Sequence, residues 1–341
     1  MQYFLSDYME GAHPLILERL MQTNMEKTPG YGTDYYCTEA REKIRRACGC
    51  PDASVHFLVG GTQTNVTVIT SVLRPYEGVI AAESGHINQH EAGAVEAGGH
   101  KVLGLPHHNG KLCAEEVDRY VTEFYAGPSW DHMVAPGMVY ISHPTEYGTL
   151  YTLDELKALS AVCRKHRIPL FLDGARLGYG LAARTTDVTL KDIAALCDIF
   201  YIGGTKVGAL FGEAVVFTRP GMVKQFDTIV KQRGVLLAKG RLLGLQFDTL
   251  FTDDLYIRIA RHAIDMAEKI VSALREKGYR FLIGPETNQL FVVMENGHLA
   301  ELSKIIGVEV WEKVDETHTA VRIATSWATR EEDVDVLISQ L

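Results

Sequence analysis

The chain lacks the signs of several common protein classes. Its six cysteines (Cys37, Cys48, Cys50, Cys113, Cys163 and Cys197) include one Cys-x-Cys but no Cys-x-x-Cys pair, so neither a zinc ribbon nor a dithiol redox motif is written in it. They read as buried or half-buried free thiols. No apolar stretch approaches the roughly 20 residues that cross a bilayer. The opening MQYFLSDYMEG has neither the basic start nor the apolar run of a secretion signal. A cytoplasmic protein is expected. Basic residues are in the minority, 34 Lys and Arg against 43 Asp and Glu, for a net charge of −9. That balance repels phosphate backbones and anionic lipid, so neither nucleic acid nor a membrane is an expected partner. Low-complexity tracts, 20–50-residue repeats and polar linkers are also missing.

What remains is a globular composition, 46% hydrophobic and 23% charged over 341 residues, enough for about two domains. After predicted helices near Pro14–Asn24 and Asp34–Cys48, short β-branched and aromatic runs alternate with helical spacing. The predicted strands are Val55–Val59, Val79–Ala82, Val102–Leu105, Val139–Ser142, Leu170–Leu172, Ile199–Ile202 and Ala214–Phe217. Helices are predicted at Asn65–Leu73, Ile87–Ala97, Glu115–Tyr125, Leu153–His166 and Leu190–Leu196. This rhythm implies an α/β fold, a mostly parallel central sheet with helices on both faces and ligands at the carboxyl ends of the strands. Beyond Phe217 the pattern changes to long helical sequence, four strands (Phe281–Ile283, Leu290–Met294, Val308–Trp311, Val321–Thr325) and a closing helix opened by a capping box at Thr329–Glu332. The expected division is a large unit, residues 1–247, and a smaller C-terminal α/β unit, residues 248–341.

Three segments at strand ends carry chemistry. In Phe57-Leu58-Val59-Gly60-Gly61-Thr62-Gln63-Thr64 a strand runs through two glycines into a hydroxyl-rich helix start, a cradle for phosphate. Leu170-Phe171-Leu172-Asp173-Gly174-Ala175-Arg176 leaves a carboxylate at a buried strand end, where it needs a cation or strong donors. Tyr201-Ile202-Gly203-Gly204-Thr205-Lys206 brings a lysine to the same edge, where desolvation makes it a usable amine nucleophile. A phosphate anchor, a buried acid and an activated amine together are what pyridoxal 5'-phosphate requires.

Two other motifs point less far. His86 and His90 share a helical face, but His-x-x-x-His-Glu matches no zinc-protease spacing and no third ligand follows, so no metal is expected. Gly178-Tyr179-Gly180-Leu181-Ala182-Ala183 fits G-x-G-x-x-A, yet it does not open the turn after its strand as a dinucleotide fingerprint should. A nicotinamide-dependent dehydrogenase therefore rests on those two glycines alone.

With Ser6-Asp7, Tyr31-Gly32, Gly60-Gly61-Thr62, His86 with Glu91-Ala92-Gly93, Asp173-Gly174-Ala175-Arg176, Lys206 and Arg322-Ile323-Ala324-Thr325 in place, the chain resembles the threonine aldolase and β-eliminating lyase family of fold-type-I pyridoxal phosphate enzymes. The resemblance implies that Lys206 forms the Schiff base, Asp173 holds the pyridine nitrogen protonated, Gly61 and Thr62 bind the phosphate, His86 stacks on the ring, and Thr205 is a further cofactor-binding residue. It implies that Ser6, Arg176 and Arg322 hold the amino-acid carboxylate, and that Tyr31 is lent to a neighbouring subunit of a homodimer or homotetramer. The implied reaction is Cα–Cβ cleavage of threonine or allo-threonine to glycine and an aldehyde, with β-elimination and transamination as rivals on the same cofactor. The chain departs from the family where Thr205 replaces a serine and where Ser142-His143-Pro144-Thr145 replaces Glu-Asn-Thr-His. The general base is left open among Thr145, His90, His143 and a phosphate-bound water.

Overall fold

A computed structural model describes all 341 residues. After the short strand β1 (Gln2–Tyr3), seven strands follow: β2 (Ser54–Leu58), β3 (Glu77–Ala82), β4 (Val102–Leu105), β5 (Ala135–Ser142), β6 (Leu170–Asp173), β7 (Ile199–Gly203) and β8 (Glu213–Phe217). They form one sheet in the order β2-β8-β7-β6-β5-β3-β4. Neighbours from β7 to β4 are parallel, and β8 alone runs against its two partners. Alternate residues of each strand enter opposite cores, Val139, Ile141, Leu172 and Phe200 on one face, Tyr140, Phe171 and Tyr201 on the other, as the two-residue period of a strand requires.

Every predicted strand of this sheet is present: Val102–Leu105 matches in both its bounds, the first is displaced by one residue to Ser54–Leu58, and the other five are longer by one to four residues. The helices Leu153–His166 and Leu190–Leu196 match residue for residue. Asp34 caps the helix Tyr35–Cys48 by accepting from the Cys37 N–H, and Gly49 ends it at φ 63°, a left-handed turn suited to glycine. Two expectations fail. The continuous helix over Ile87–Ala97 is two single turns, His86–Gln89 and Ala94–Ala97, because Ala92 (φ 51°) and Gly93 (φ 71°) turn left-handed between them. The capping box at Thr329 does not form: the helix is Glu331–Gln340 with Arg330 at its N-cap, and the Thr329 hydroxyl oxygen accepts instead from the Ser326 N–H.

The smaller sheet comprises β9 (Arg280–Phe281), β10 (Gln289–Glu295), β12 (Glu309–Lys313) and β13 (His318–Ala324), while β11 (Ile306–Gly307) pairs with β1. Its order is β12-β13-β10-β9, all antiparallel. The chain's first strand thus docks on the C-terminal part, with Gln2 opposite Ile306. Helix Leu255–Glu276 joins the two parts: Tyr256, Ile259 and Ile264 enter the main core, while Ile270 and Leu274 enter the smaller one. The expected boundary at 247/248 falls within the helix Arg241–Leu250.

The tips of β6 and β7 approach so closely that side chains are excluded. A Cβ on Gly174 would lie 2.0 Å from the Tyr201 carbonyl oxygen, and one on Gly203 2.2 Å from that of Ala175. Gly174→Ala is therefore expected to destabilise the protein by about 3 kcal/mol through overpacking, read as a lowered denaturation midpoint. An unchanged midpoint would mean that the two tips have room to separate.

Candidate active site

A cavity of about 420 Å³ opens at the carboxyl ends of β2, β5, β6 and β7. Gly61, Thr62, His86, Asp173, Arg176, Thr205, Lys206 and Arg322 all line it. Residues separated by up to 261 positions (322 − 61) thus share one chamber, as expected where a parallel sheet gathers its strand ends.

Gly60, in extended conformation, is the N-cap of the helix Gly61–Val72. The first-turn amides, including those of Gly61 and Thr62, have no intrahelical acceptor and stand at the positive end of the helix dipole. Asp173 closes β6 and is fully buried. Its Oδ2 accepts from the Tyr140 hydroxyl at 2.5 Å and from Asn65 Nδ2 at 3.0 Å, and its Oδ1 accepts from the Ala175 N–H at 2.9 Å. Burial alone would raise its pKa. The nearby His86 and the donated hydrogen bonds outweigh that and hold the carboxyl below its usual value. His86 is fixed from two sides: its Nδ1 lies 2.8 Å from Glu91 Oε1, and its N–H donates to Glu146 Oε1 at 2.9 Å.

Burial, reinforced by Arg176, pushes the Lys206 ammonium down from its ordinary value, against the attraction of Asp7, Asp173 and Glu213. Glu213 shifts the other way: burial raises its carboxyl although Thr205 Oγ1 donates to it at 2.8 Å and the Gly204 N–H at 3.1 Å. The Lys206 amine is thus in an environment that disfavours its charge, the condition under which a lysine can act as a nucleophile.

The two arginines differ. Arg176 makes a two-pronged ion pair with the buried Asp7, Nε to Oδ2 at 2.7 Å and Nη2 to Oδ1 at 2.9 Å. Arg322 donates to Gln289 Oε1 at 3.1 Å and to the Leu5 carbonyl at 3.0 Å, and it pairs with Glu309. Ser6 does not line the cavity; it is half-buried between Leu5 and Asp7, the residues that contact these arginines. Tyr31 is not brought to it either. Tyr31 is 49% exposed and lines a separate cavity of about 330 Å³ with Arg41, His56 and Asp227.

Of the open general-base positions, His90 and Thr145 face the cavity and His143 does not. The Thr145 hydroxyl is shared with Thr149 at 2.7 Å. His90 is held below its ordinary pKa by burial and by His86 and Arg322. His143 is buried, its Nδ1 accepting from the Tyr151 N–H at 3.3 Å and its Nε2 unpartnered; burial pushes it down from 6.5 to about 4. The folded state therefore binds fewer protons than the unfolded state between pH 6.5 and about 4, and His143 makes stability fall as pH drops through that window. His143→Gln is expected to flatten the acid-side decline of Tm; an equal slope in both proteins would assign the decline elsewhere.

The fingerprint glycines serve packing. A Cβ on Gly178 would meet Val207 at 2.9 Å and Tyr256 at 3.0 Å, and one on Gly180 would meet Pro144 at 3.0 Å. No dinucleotide turn exists there, which removes the basis of the dehydrogenase reading. Sequence reasoning named Glu91 without its contacts to His86 and Asn65, and it missed Tyr140, Asn65, Glu146, Glu213, Glu309 and Trp311 as site residues. Tyr140 reads as strand core and Glu91 as part of a helix. Only Glu213, an acid opening an apolar strand just past the Lys206 loop, carried a usable signal.

A polar cavity with a helix N-terminus, a multiply hydrogen-bonded buried carboxylate and a desolvated lysine fits pyridoxal phosphate on each of its three functional sides. The fold is that of the fold-type-I pyridoxal phosphate enzymes; aspartate aminotransferase from Thermus thermophilus superposes with a TM-score of 0.72 at 16% identity, covering 99% of this chain and 90% of that one. The chain belongs to the β-eliminating lyase family, whose model matches residues 4–297. It is similar to the threonine aldolase of Leishmania major, with a TM-score of 0.96 and 42% identity over 99% of this chain and 98% of that one. It is also 31% identical over 307 residues to a low specificity L-threonine aldolase of Pseudomonas sp. (strain NCIMB 10558), covering 88% of this chain and 86% of the relative. The protein is a pyridoxal phosphate-dependent lyase.

Proposed function

We propose that the protein cleaves the Cα–Cβ bond of threonine, allo-threonine and related β-hydroxy-α-amino acids, giving glycine and an aldehyde. The observation that carries this reading is the meeting of Lys206, Asp173 and Arg322 in one cavity, in a chain similar to threonine aldolases along almost its whole length. When bound, pyridoxal phosphate supplies the conjugated electron sink for the pair released by the breaking bond. The amides of Gly61 and Thr62 would hold its phosphate, Lys206 its aldehyde carbon, Asp173 a proton at its ring nitrogen, and His86 one face of its ring. Arg322, with the remaining edge of Arg176, would grip the substrate carboxylate and so fix the orientation of the bond to be cleaved. His90, the cavity-lining imidazole held toward its neutral form, takes the proton of the β-hydroxyl.

Several features belong to the same reading. Residues 1–247 form the cofactor-binding unit and residues 248–341 the smaller one, with helix Leu255–Glu276 as their shared element. The enzyme works in the cytoplasm as a homodimer or homotetramer. The exposure of Tyr31 outside its own chain's cavity supports a role toward a neighbouring subunit.

Product analysis separates the outcomes available to one cofactor. With threonine the holoenzyme is expected to yield glycine and acetaldehyde in equal amounts, and with serine or cysteine little pyruvate or ammonia. Predominant pyruvate and ammonia would favour β-elimination and overturn the aldolase reading.

A further inference from the structure

Arg322 lies on β13, and its direct partner in the antiparallel register is Glu309 on the edge strand β12. Their side chains form an ion pair through Arg322 Nη2 and Glu309 Oε2, and both line the cofactor cavity. Just beyond, the register shifts between Val310 and Glu312, leaving Trp311 as the bulged residue. The Trp311 ring stands 5.8 Å from the Arg322 guanidinium and also lines the cavity. Arg322 is thus positioned by Trp311, Gln289 and the Leu5 carbonyl independently of Glu309.

The contrast with the second arginine is informative. Asp7, which neutralises Arg176, has a side chain 0% exposed and also accepts from Asn288 at 3.0 Å. Moving it would strand a buried charge. The Glu309 side chain is 43% exposed, so it can leave Arg322 for solvent at little desolvation cost. One arginine is permanently paired, whereas the other is paired with a carboxylate that can be displaced.

We propose that Glu309 sets the affinity for the amino-acid substrate by occupying on Arg322 the place of the substrate carboxylate, which displaces it on binding. The inference rests on the reading that Arg322 receives that carboxylate. Glu309 is then a competitor built into the chain, and its removal strengthens substrate binding.

The test compares wild-type holoenzyme with Glu309→Gln, Glu309→Ala and Arg322→Ala. Its readouts are KM and kcat for threonine, together with the dissociation constant of glycine from spectral titration of the bound cofactor. In both Glu309 variants, KM and the glycine dissociation constant are expected to fall by about two- to fivefold, the range of a half-exposed ion pair, with kcat changing far less. Inhibition by acetate should strengthen in parallel. A rise in both constants would make Glu309 a support for Arg322, and no change would make the pair inert; either result overturns the proposal. Arg322→Ala tests the underlying reading separately. A large rise in its KM leaves the carboxylate assignment standing whatever the Glu309 variants do, whereas an unchanged KM removes that assignment and this inference with it.

Discussion

Lys206→Ala is expected to abolish the visible absorption of the purified holoenzyme and to lower threonine cleavage by at least about 10⁴-fold, the scale on which loss of a nucleophile acts. The folded state should survive. The Lys206 ammonium makes no hydrogen bond or ion pair with the chain, and its Nζ stands 5.7 Å from the centroid of the Tyr8 ring; the one bond at this residue, from the Tyr179 hydroxyl to the Lys206 carbonyl, is untouched by the substitution. Burial disfavours its charged form, so alanine removes a destabilised cation rather than a structural tie. Tm within a few degrees of wild type, with absorption lost, is the expected combination. A variant that still absorbs in the visible and turns over threonine would show that another amine carries the chemistry.

The second large effect is expected at Asp173. Asp173→Asn preserves shape but removes the negative charge that a protonated ring nitrogen needs. It also turns an amide toward Tyr140 and Asn65, both of which donate to the present carboxylate. A loss of about 10²–10³ in kcat is expected, in the range of a preorganised electrostatic group acting on the transition state. Weaker cofactor retention should accompany it, read by dialysis and absorbance. A variant with near-normal kcat would assign the ring nitrogen to some other partner. Because Tyr140 is itself buried with its hydroxyl committed to Asp173, Tyr140→Phe should shift the same two readouts in the same direction by a smaller factor.

The parts of the molecule legible in the sequence are those governed by local rules. Apolar runs of three to five residues marked every strand of the main sheet, since a strand covered on both faces has no polar alternation to lose. Glycines beside Asp173 and Lys206 marked strand tips because the backbones there pass too closely for a Cβ. The paired glycines of the cradle worked for a different reason: Gly60 caps the helix, which begins at Gly61, four residues ahead of the predicted Asn65. Failures arose where tertiary partners decide. Ala92 and Gly93 turn left-handed and swing Glu91 onto His86 and Asn65, and no helical periodicity announces that contact. Thr329 gives its oxygen to Ser326 instead of the helix start.

Glu309 and Trp311 were out of reach for another reason. They enter the cavity only through the register of β12 on β13, which joins residues of the smaller sheet to a site built by the larger one. The division of the arginines was equally hidden: the sequence offers Arg176 and Arg322 as equivalent carboxylate ligands, whereas burial of Asp7 commits the first to an internal pair.

The central claim is that the amine of Lys206 holds the cofactor opposite Asp173. It is tested most directly by reducing the holoenzyme with borohydride and mapping the modified peptide. One pyridoxyl group per chain is expected, on Lys206; a group carried by any other lysine, or none at all on a protein that turns over threonine, would overturn that assignment.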